Sequence, residues 1–184
     1  GESPKSHIAL SSSRPGFSFA FQPIVNVVSR RMHGFEALVR GAEGASATEV
    51  LQSIPLGEIP TFDEDGRRVA IAMASRLGLV GNLHLNMLPQ WRAAKANTID
   101  STLETAKRCG LEASRIVLEL KHEATVGDPE AMTAWLSDYR THGLRISIDD
   151  FGSGHAGLAL LDHYQPEMIS LSMWLVRGIE GHGP

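Results

Sequence analysis

Hydrophobic residues fall into two rhythms along this chain. Phe19 to Val25 and His33 to Arg40 are short, largely apolar runs bounded by polar residues, the pattern of β-strands. Only Asn26 to Met32 separates them. A parallel crossover takes about a dozen residues or more, so the pair is predicted to form an antiparallel hairpin. From there the chain alternates. "ATEVLQSI" and "TFDEDGRRVAIAMASRLG" have helical spacing and precede the strand "NLHLNM"; "STLETAKRCG" is a helix before the strand "RIVLEL". "DPEAMTAWLSDYRTHG" opens with Asp128 and Pro129 in N-cap and N1 style, stops at Gly143 and gives way to the strand "LRISID". "HAGLALLDHY" is a helix and "EMISLS" the last strand. Alternation with near-continuous apolar strands predicts an α/β fold with a parallel sheet covered by helices.

An open doubly wound sheet and a closed (β/α) barrel both satisfy that rhythm. The Gly-rich turn of a dinucleotide-binding open sheet is absent, because "GSGHAG" lies late in the chain and lacks the required spacing. Polar residues favour the barrel. Asn86, Glu119, Asp149 and Asp150 each stand at or near the C-terminal end of a strand, the end that forms the active-site mouth of barrel enzymes.

Those residues carry the candidate chemistry. Glu119 inside "IVLEL" and Asp149 closing "ISID" place carboxylates among apolar neighbours, which is costly unless they are partnered. In "FEALVR" the period of two puts Glu36, Leu38 and Arg40 on one face. One acid at a strand end is more often a helix cap or an ion-pair partner. Four acids and one amide at equivalent strand positions point instead to Mg²⁺ or Mn²⁺, with Asp149 placed between two ions. A two-ion site favours phosphoryl chemistry, since it activates water and stabilises the leaving oxygen together. The spacing names a metal-assisted barrel enzyme or its descendant, and no substrate.

Composition narrows the partners. The 184 residues are 42% hydrophobic and 21% charged, enough for one sizeable core, with a net charge of −4 and no basic run. A nucleic-acid polymer groove or an anionic membrane surface is therefore not indicated. No apolar run approaches the ~20 residues of a membrane span. A single cysteine, Cys109, allows no intramolecular disulfide and points to the cytoplasm. Residues 1–15 are rich in Ser and Pro and read as a linker, leaving a domain over 16–180. His84, His122 and His155 read as structural or surface residues, Met73, Met87 and Trp135 as packing residues, and "FDEDGRR" as a solvated face.

The blocks "FAFQPIV", "GFEALVR", "LHLNML", "IVLELKHE", "ISIDDFGSG" and "YQPEMISLS" resemble, in order and spacing, the signature blocks of the EAL domain family, over about Phe19 to Ile179. The resemblance implies a modified TIM barrel with an antiparallel first strand, here incomplete at about six strands. It also implies hydrolysis of cyclic di-GMP to the linear dinucleotide with two Mg²⁺ or Mn²⁺ ions, Ca²⁺ being inhibitory. By the same resemblance Glu36, Asn86, Glu119, Asp149 and Asp150 are metal positions, Glu36, Asp149 and Asp150 are the catalytic ones, and Gln22, Leu38 and Arg40 contact the nucleotide. Gly152 to Gly157 match a loop that links the metal site to a homodimer interface, and an attached sensory or output domain is expected.

Three departures bear on activity. Where the family has Lys-Ile-Asp in the last strand, this chain has Ser170, Leu171 and Ser172. Losing a fixed cation at the attacking water costs roughly a hundredfold to a thousandfold in turnover, by analogy with other electrostatic stabilisers. The family's second glutamate falls on His122, with Glu123 one position late. The sequence stops after the sixth strand, short of the family's seventh and eighth strands and a further catalytic glutamate, which fits either a fragment of a longer chain or a sheet left open for another subunit to cover. The expectation is a domain that binds metal and cyclic di-GMP with impaired hydrolysis. An active phosphodiesterase and a protein-interaction module without nucleotide are the alternatives.

Overall fold

Asn26 turns the first hairpin. Its side-chain oxygen accepts from the backbone N–H groups of Val28 and Ser29 at 3.1 and 2.8 Å, and Arg30 adopts a left-handed φ of 55°. The computed structural model describes residues 16–88, 98–121, 129–152 and 157–179. Within them β1 (Phe17–Asn26) pairs antiparallel with β2 (Arg31–Gly41), as the short connection requires. Pro23 is tolerated on β1, which pairs with β2 alone among the described residues. β3 (Asn82–Met87), β4 (Ile116–Lys121), β5 (Arg145–Phe151) and β6 (Met168–Leu171) then add in parallel.

The strand order is β1-β2-β3-β4-β5-β6 without reversal. A doubly wound sheet reverses at a switch point, so this order is that of a barrel wall. Among the described residues the fold is an incomplete α/β barrel of six strands, its first strand antiparallel. Gly34 is needed where β2 meets β3: a Cβ there would lie 2.2 Å from the Asn82 carbonyl oxygen.

Helices cover the outside of the wall. They are α1 (Ala47–Ser53), α2 (Ile59–Arg76), α3 (Thr98–Arg108), α4 (Pro129–Thr141), α5 (Gly157–Tyr164) and α6 (Met173–Ile179). Ser46 and Glu49 close α1 with a reciprocal capping box. The main core packs Ile71 and Ala70 of α2 and Met132, Leu136 and Tyr139 of α4 against Leu85, Leu118, Leu120, Ile146 and Ile148. Met87 is buried there, and Trp135 packs on it beside Tyr139, as the pattern predicts. α6 is not expected from the sequence, because "MWLVRGI" is too short to show a period. No helix among the described residues is long and apolar enough to cross a membrane. His122, Glu123, Asp128, His155, residues 1–15 and the interior of the loop from Gly152 to Gly157 lie outside the described residues.

Candidate functional site

Register sets the mouth of the half-barrel. Glu36 on β2 stands opposite His84 on β3, Asn86 opposite Glu119 on β4, and Lys121 opposite Asp149 on β5. The period of two keeps these side chains on one face of the wall. Asn86 Nδ2 donates to Glu36 Oε1 at 3.0 Å, and His84 Nδ1 lies 2.7 Å from Glu119 Oε1. Glu119 and His84 are both 4% exposed, so the acid that sequence cost alone flagged is partnered by a histidine.

The acids repel one another. Burial raises the Glu36 carboxyl above its ordinary value, and the charges of Glu119 and Asp149 raise it further against the pull of the Asn86 bond. Asp149 is raised by burial and by the charges of Glu119 and Asp150, against the Asp150 backbone N–H and Lys121. Among the described residues no group of three or more His, Cys, Asp or Glu side chains is arranged, as it stands, to hold an ion. The fit to a divalent cation rests on the donor set, which is oxygen only, and on two carboxyls, Glu36 and Asp149, that burial and neighbouring acids hold above their ordinary values and that a positive charge would relieve.

Glu36, Leu38, Asn86 and Asp149 line one cavity of about 270 Å³, together with Lys121 and the apolar Phe19, Phe62 and Met87. Gln22, opposite Glu36 in the hairpin, and Arg40, Glu119 and Asp150 are not among its lining residues. Arg40 turns its guanidinium onto the Val39 carbonyl at 2.8 Å.

Two local features were not legible in the sequence pattern. Asp149 and Asp150 form a bulge opposite Ser170: register runs Ile148 to Ile169 and resumes at Phe151 to Leu171, and Asp150 takes a φ of 56°. Ser172 is 3% exposed, and its Oγ accepts from Leu175 N at 3.4 Å while its carbonyl accepts from Val176 N. It caps α6, a role that serine and aspartate share.

The solvated reading of "FDEDGRR" is corrected in part. Asp65 and Arg68 pair near the surface, but Arg67 is 3% exposed, ion-paired with Asp63 and donating from Nε to Thr102 Oγ1 at 3.3 Å. Asp63 also accepts from Leu88 N at 3.1 Å, and both residues line the cavity. Their spacing of four, in phase with buried Ile59, Phe62 and Ala70, was the available signal. Lys121 had a similar one, two residues beyond Glu119.

The model of the EAL domain matches residues 7–184. The chain belongs to the EAL domain family. The EAL chain is 36% identical to a standalone versatile EAL protein of Vibrio cholerae O395 in its c-di-GMP-bound form, with a TM-score of 0.85 over 93% of this chain and 72% of that one. It is 29% identical to Klebsiella pneumoniae BlrP1 in a complex with manganese and cyclic di-GMP, with a TM-score of 0.83 over 95% of this chain and 44% of that one. It is 30% identical over 167 residues to the blue light- and temperature-regulated antirepressor BluF of Escherichia coli (strain K12), covering 90% of this chain and 41% of that protein. The EAL chain thus spans less than half the length of the curated relatives it matches.

Proposed function

We propose that this EAL domain binds a pair of Mg²⁺ or Mn²⁺ ions and cyclic di-GMP at the cavity mouth, and that its hydrolysis of the dinucleotide is impaired. The observation that carries the reading is the convergence of Glu36, Asn86 and Asp149 on one cavity, where burial first and the nearby charge of Glu119 second hold both carboxyls above their ordinary values. Neighbours at 36% and 29% identity that contain cyclic di-GMP support it, one with manganese, as does a BlrP1 complex with calcium.

Glu36, Asn86, Glu119, Asp149 and Asp150 would hold the ions. When bound, the ions supply charge neutralisation and an activated water for phosphodiester cleavage. Asn86 keeps Glu36 oriented, Lys121 balances Asp149, and the bulge lets both Asp149 and Asp150 contribute from one strand end. Arg40 is suited to pair a phosphate once it leaves the Val39 carbonyl, Leu38 offers an apolar wall, and Gln22 lies at the hairpin rim. Ser170 presents a hydroxyl where the family keeps a lysine, so among the described residues β6 sets no cation beside the bulge, and Lys121 on β4 is the cation opposite Asp149. In this reading Ca²⁺ fills the metal positions without supporting turnover. The domain acts in the cytoplasm, attached to a sensory or output domain, and pairs with a second copy through Gly152 to Gly157.

A protein-interaction role is the second reading. It is favoured by the likeness to a protein named as an antirepressor, and by Met173 and Trp174, 60% and 76% exposed beside the serine-bearing strand.

Calorimetry of the full-length protein with cyclic di-GMP and Ca²⁺ tests the site. Micromolar binding that Arg40→Ala weakens about tenfold or more supports it. No heat at high micromolar ligand favours the interaction reading. Production of linear dinucleotide with Mg²⁺ or Mn²⁺ at ordinary enzyme rates, ~1 s⁻¹ or faster, would overturn the impairment.

A further inference from the structure

We propose that His84 is a positioning residue for Glu119, clamping one carboxylate oxygen so that the other alone is presented to a cation; this rests on the metal-site reading above. The geometry is specific. His84 Nδ1 is 2.7 Å from Glu119 Oε1, and each side chain is 5% exposed, so neither end of the bond exchanges readily with water. Oε2 is the oxygen left for an ion. The contact joins β3 to β4 and lies two residues below Asn86, whose own amide is turned by the bond to Glu36 so that Oδ1 is the free atom. Neighbouring strands therefore use one device: a side-chain N–H holds one oxygen of a carboxylate and settles which donor atoms remain.

The histidine ring is itself held. His33 lies edge-on at 5.8 Å between centroids, its Nε2 is 3.0 Å from Asn82 Nδ2, and Arg145 reaches the oxygen of the same Asn82. His84 Nε2 has no hydrogen-bond partner among the described residues, so the ring's hydrogen bond there goes to Glu119 alone. Burying an imidazole with one unpartnered nitrogen is unfavourable, and Val117, opposite His84 in register and fully buried on the same face, shows that an apolar side chain fits this part of the wall. A packing role alone does not account for a histidine here; a donor for Glu119 does. With its proton on Nδ1 the ring donates to the carboxylate and leaves Nε2 without a hydrogen to bury. Groups that orient metal-ligating side chains in this way typically contribute ten- to a hundredfold in metal affinity.

The test compares Mn²⁺ affinity by calorimetry in the full-length wild type, His84→Leu and His84→Asn, with thermal melts alongside. Asparagine keeps an N–H near the Nδ1 position and leucine removes it. His84→Leu is expected to weaken Mn²⁺ binding by about 10- to 100-fold, and His84→Asn by about threefold or less. Unchanged Mn²⁺ affinity in folded His84→Leu would overturn the inference while leaving the metal site standing, even if its melting temperature moved. Absence of Mn²⁺ binding by the wild type would overturn the metal-site reading and this inference with it. ¹⁵N NMR of the ring in the metal-free wild type gives an independent reading that does not depend on whether the leucine variant folds. A proton on Nδ1 is expected; an Nε2–H tautomer with bare Nδ1 would overturn the clamp.

Discussion

Asn86 Nδ2 donates to Glu36 Oε1 across 3.0 Å, and this bond is outweighed: burial and the charges of Glu119 and Asp149 still hold the Glu36 carboxyl above its ordinary 4.5. A raised carboxyl pKa favours the folded state only where both states are protonated. As pH rises past the ordinary value the unfolded chain ionises first, and the folded state loses stability until Glu36 itself ionises. Without added metal, Glu36→Gln should therefore gain in melting temperature relative to wild type on going from pH 4 to pH 8. Mn²⁺ should reverse the order at pH 8 by stabilising the wild type more. Thermal melts at both pH values check this, and a pH-independent difference would show that Glu36 carries no such penalty.

Arg67 should be intolerant of truncation although it belongs to a charge-rich stretch. It is buried against Asp63 and Thr102, and Asp63 in turn holds the backbone N–H of Leu88, two residues past Asn86. Removing one member of a buried pair leaves the other uncompensated, at a cost of about 3–5 kcal/mol. Arg67→Met should lower stability by that order in denaturant titrations. The double variant with Asp63→Leu should recover part of the loss, because no charge is then left buried alone. Equal losses for the single and double variants would contradict the pairing.

Much of this fold was readable because burial is expensive for the wrong residues. The Asn26 to Met32 connection permits only a hairpin, and carboxylates inside apolar strands demand partners, so Glu119 and Asp149 could be singled out without coordinates. What stayed hidden depends on register or on backbone angles. His84 and Glu119 are 35 residues apart and meet only because β3 pairs with β4 in one register. The bulge at Asp149 and Asp150 is a matter of φ, on which hydrophobic spacing is silent. Asp63 and Arg67 were misread because charged clusters are normally solvated, and only the phase of α2 turns this one inward.

Gly152 should resist substitution for a conformational reason. Its φ is 92°, and a Cβ would fall 2.0 Å from Leu175 Cδ1 on α6. The methyl end of Leu175 can rotate away, whereas the left-handed backbone penalty of about 1–2 kcal/mol remains. Gly152→Ala should be destabilised by that order in urea titrations, and adding Leu175→Ala should not restore it. Full rescue by the leucine truncation would show the clash, and not the backbone, to be the cost.

Ser170 and Ser172 sit two residues apart and predict opposite outcomes. Ser172 caps α6 through Leu175 N, so Ser172→Asp should be nearly neutral, while Ser172→Ala should cost about 1 kcal/mol in stability. Ser170 lies across the sheet from the Asp149–Asp150 bulge, where a fixed positive charge would face Asp149, whose carboxyl burial and the charges of Glu119 and Asp150 hold above its ordinary value. Ser170→Lys should therefore speed linear di-GMP production in Mg²⁺ or Mn²⁺ by about a hundredfold to a thousandfold over the wild-type rate, the scale of one preorganised electrostatic group. Cyclic di-GMP affinity in Ca²⁺ should change far less, since the charge acts on the developing transition state more than on the bound ligand. Product chromatography together with calorimetry separates the two. If the lysine raises neither rate nor affinity, the defect does not lie at Ser170, and the impairment must come from the changed glutamate position at His122 or from elsewhere in the site.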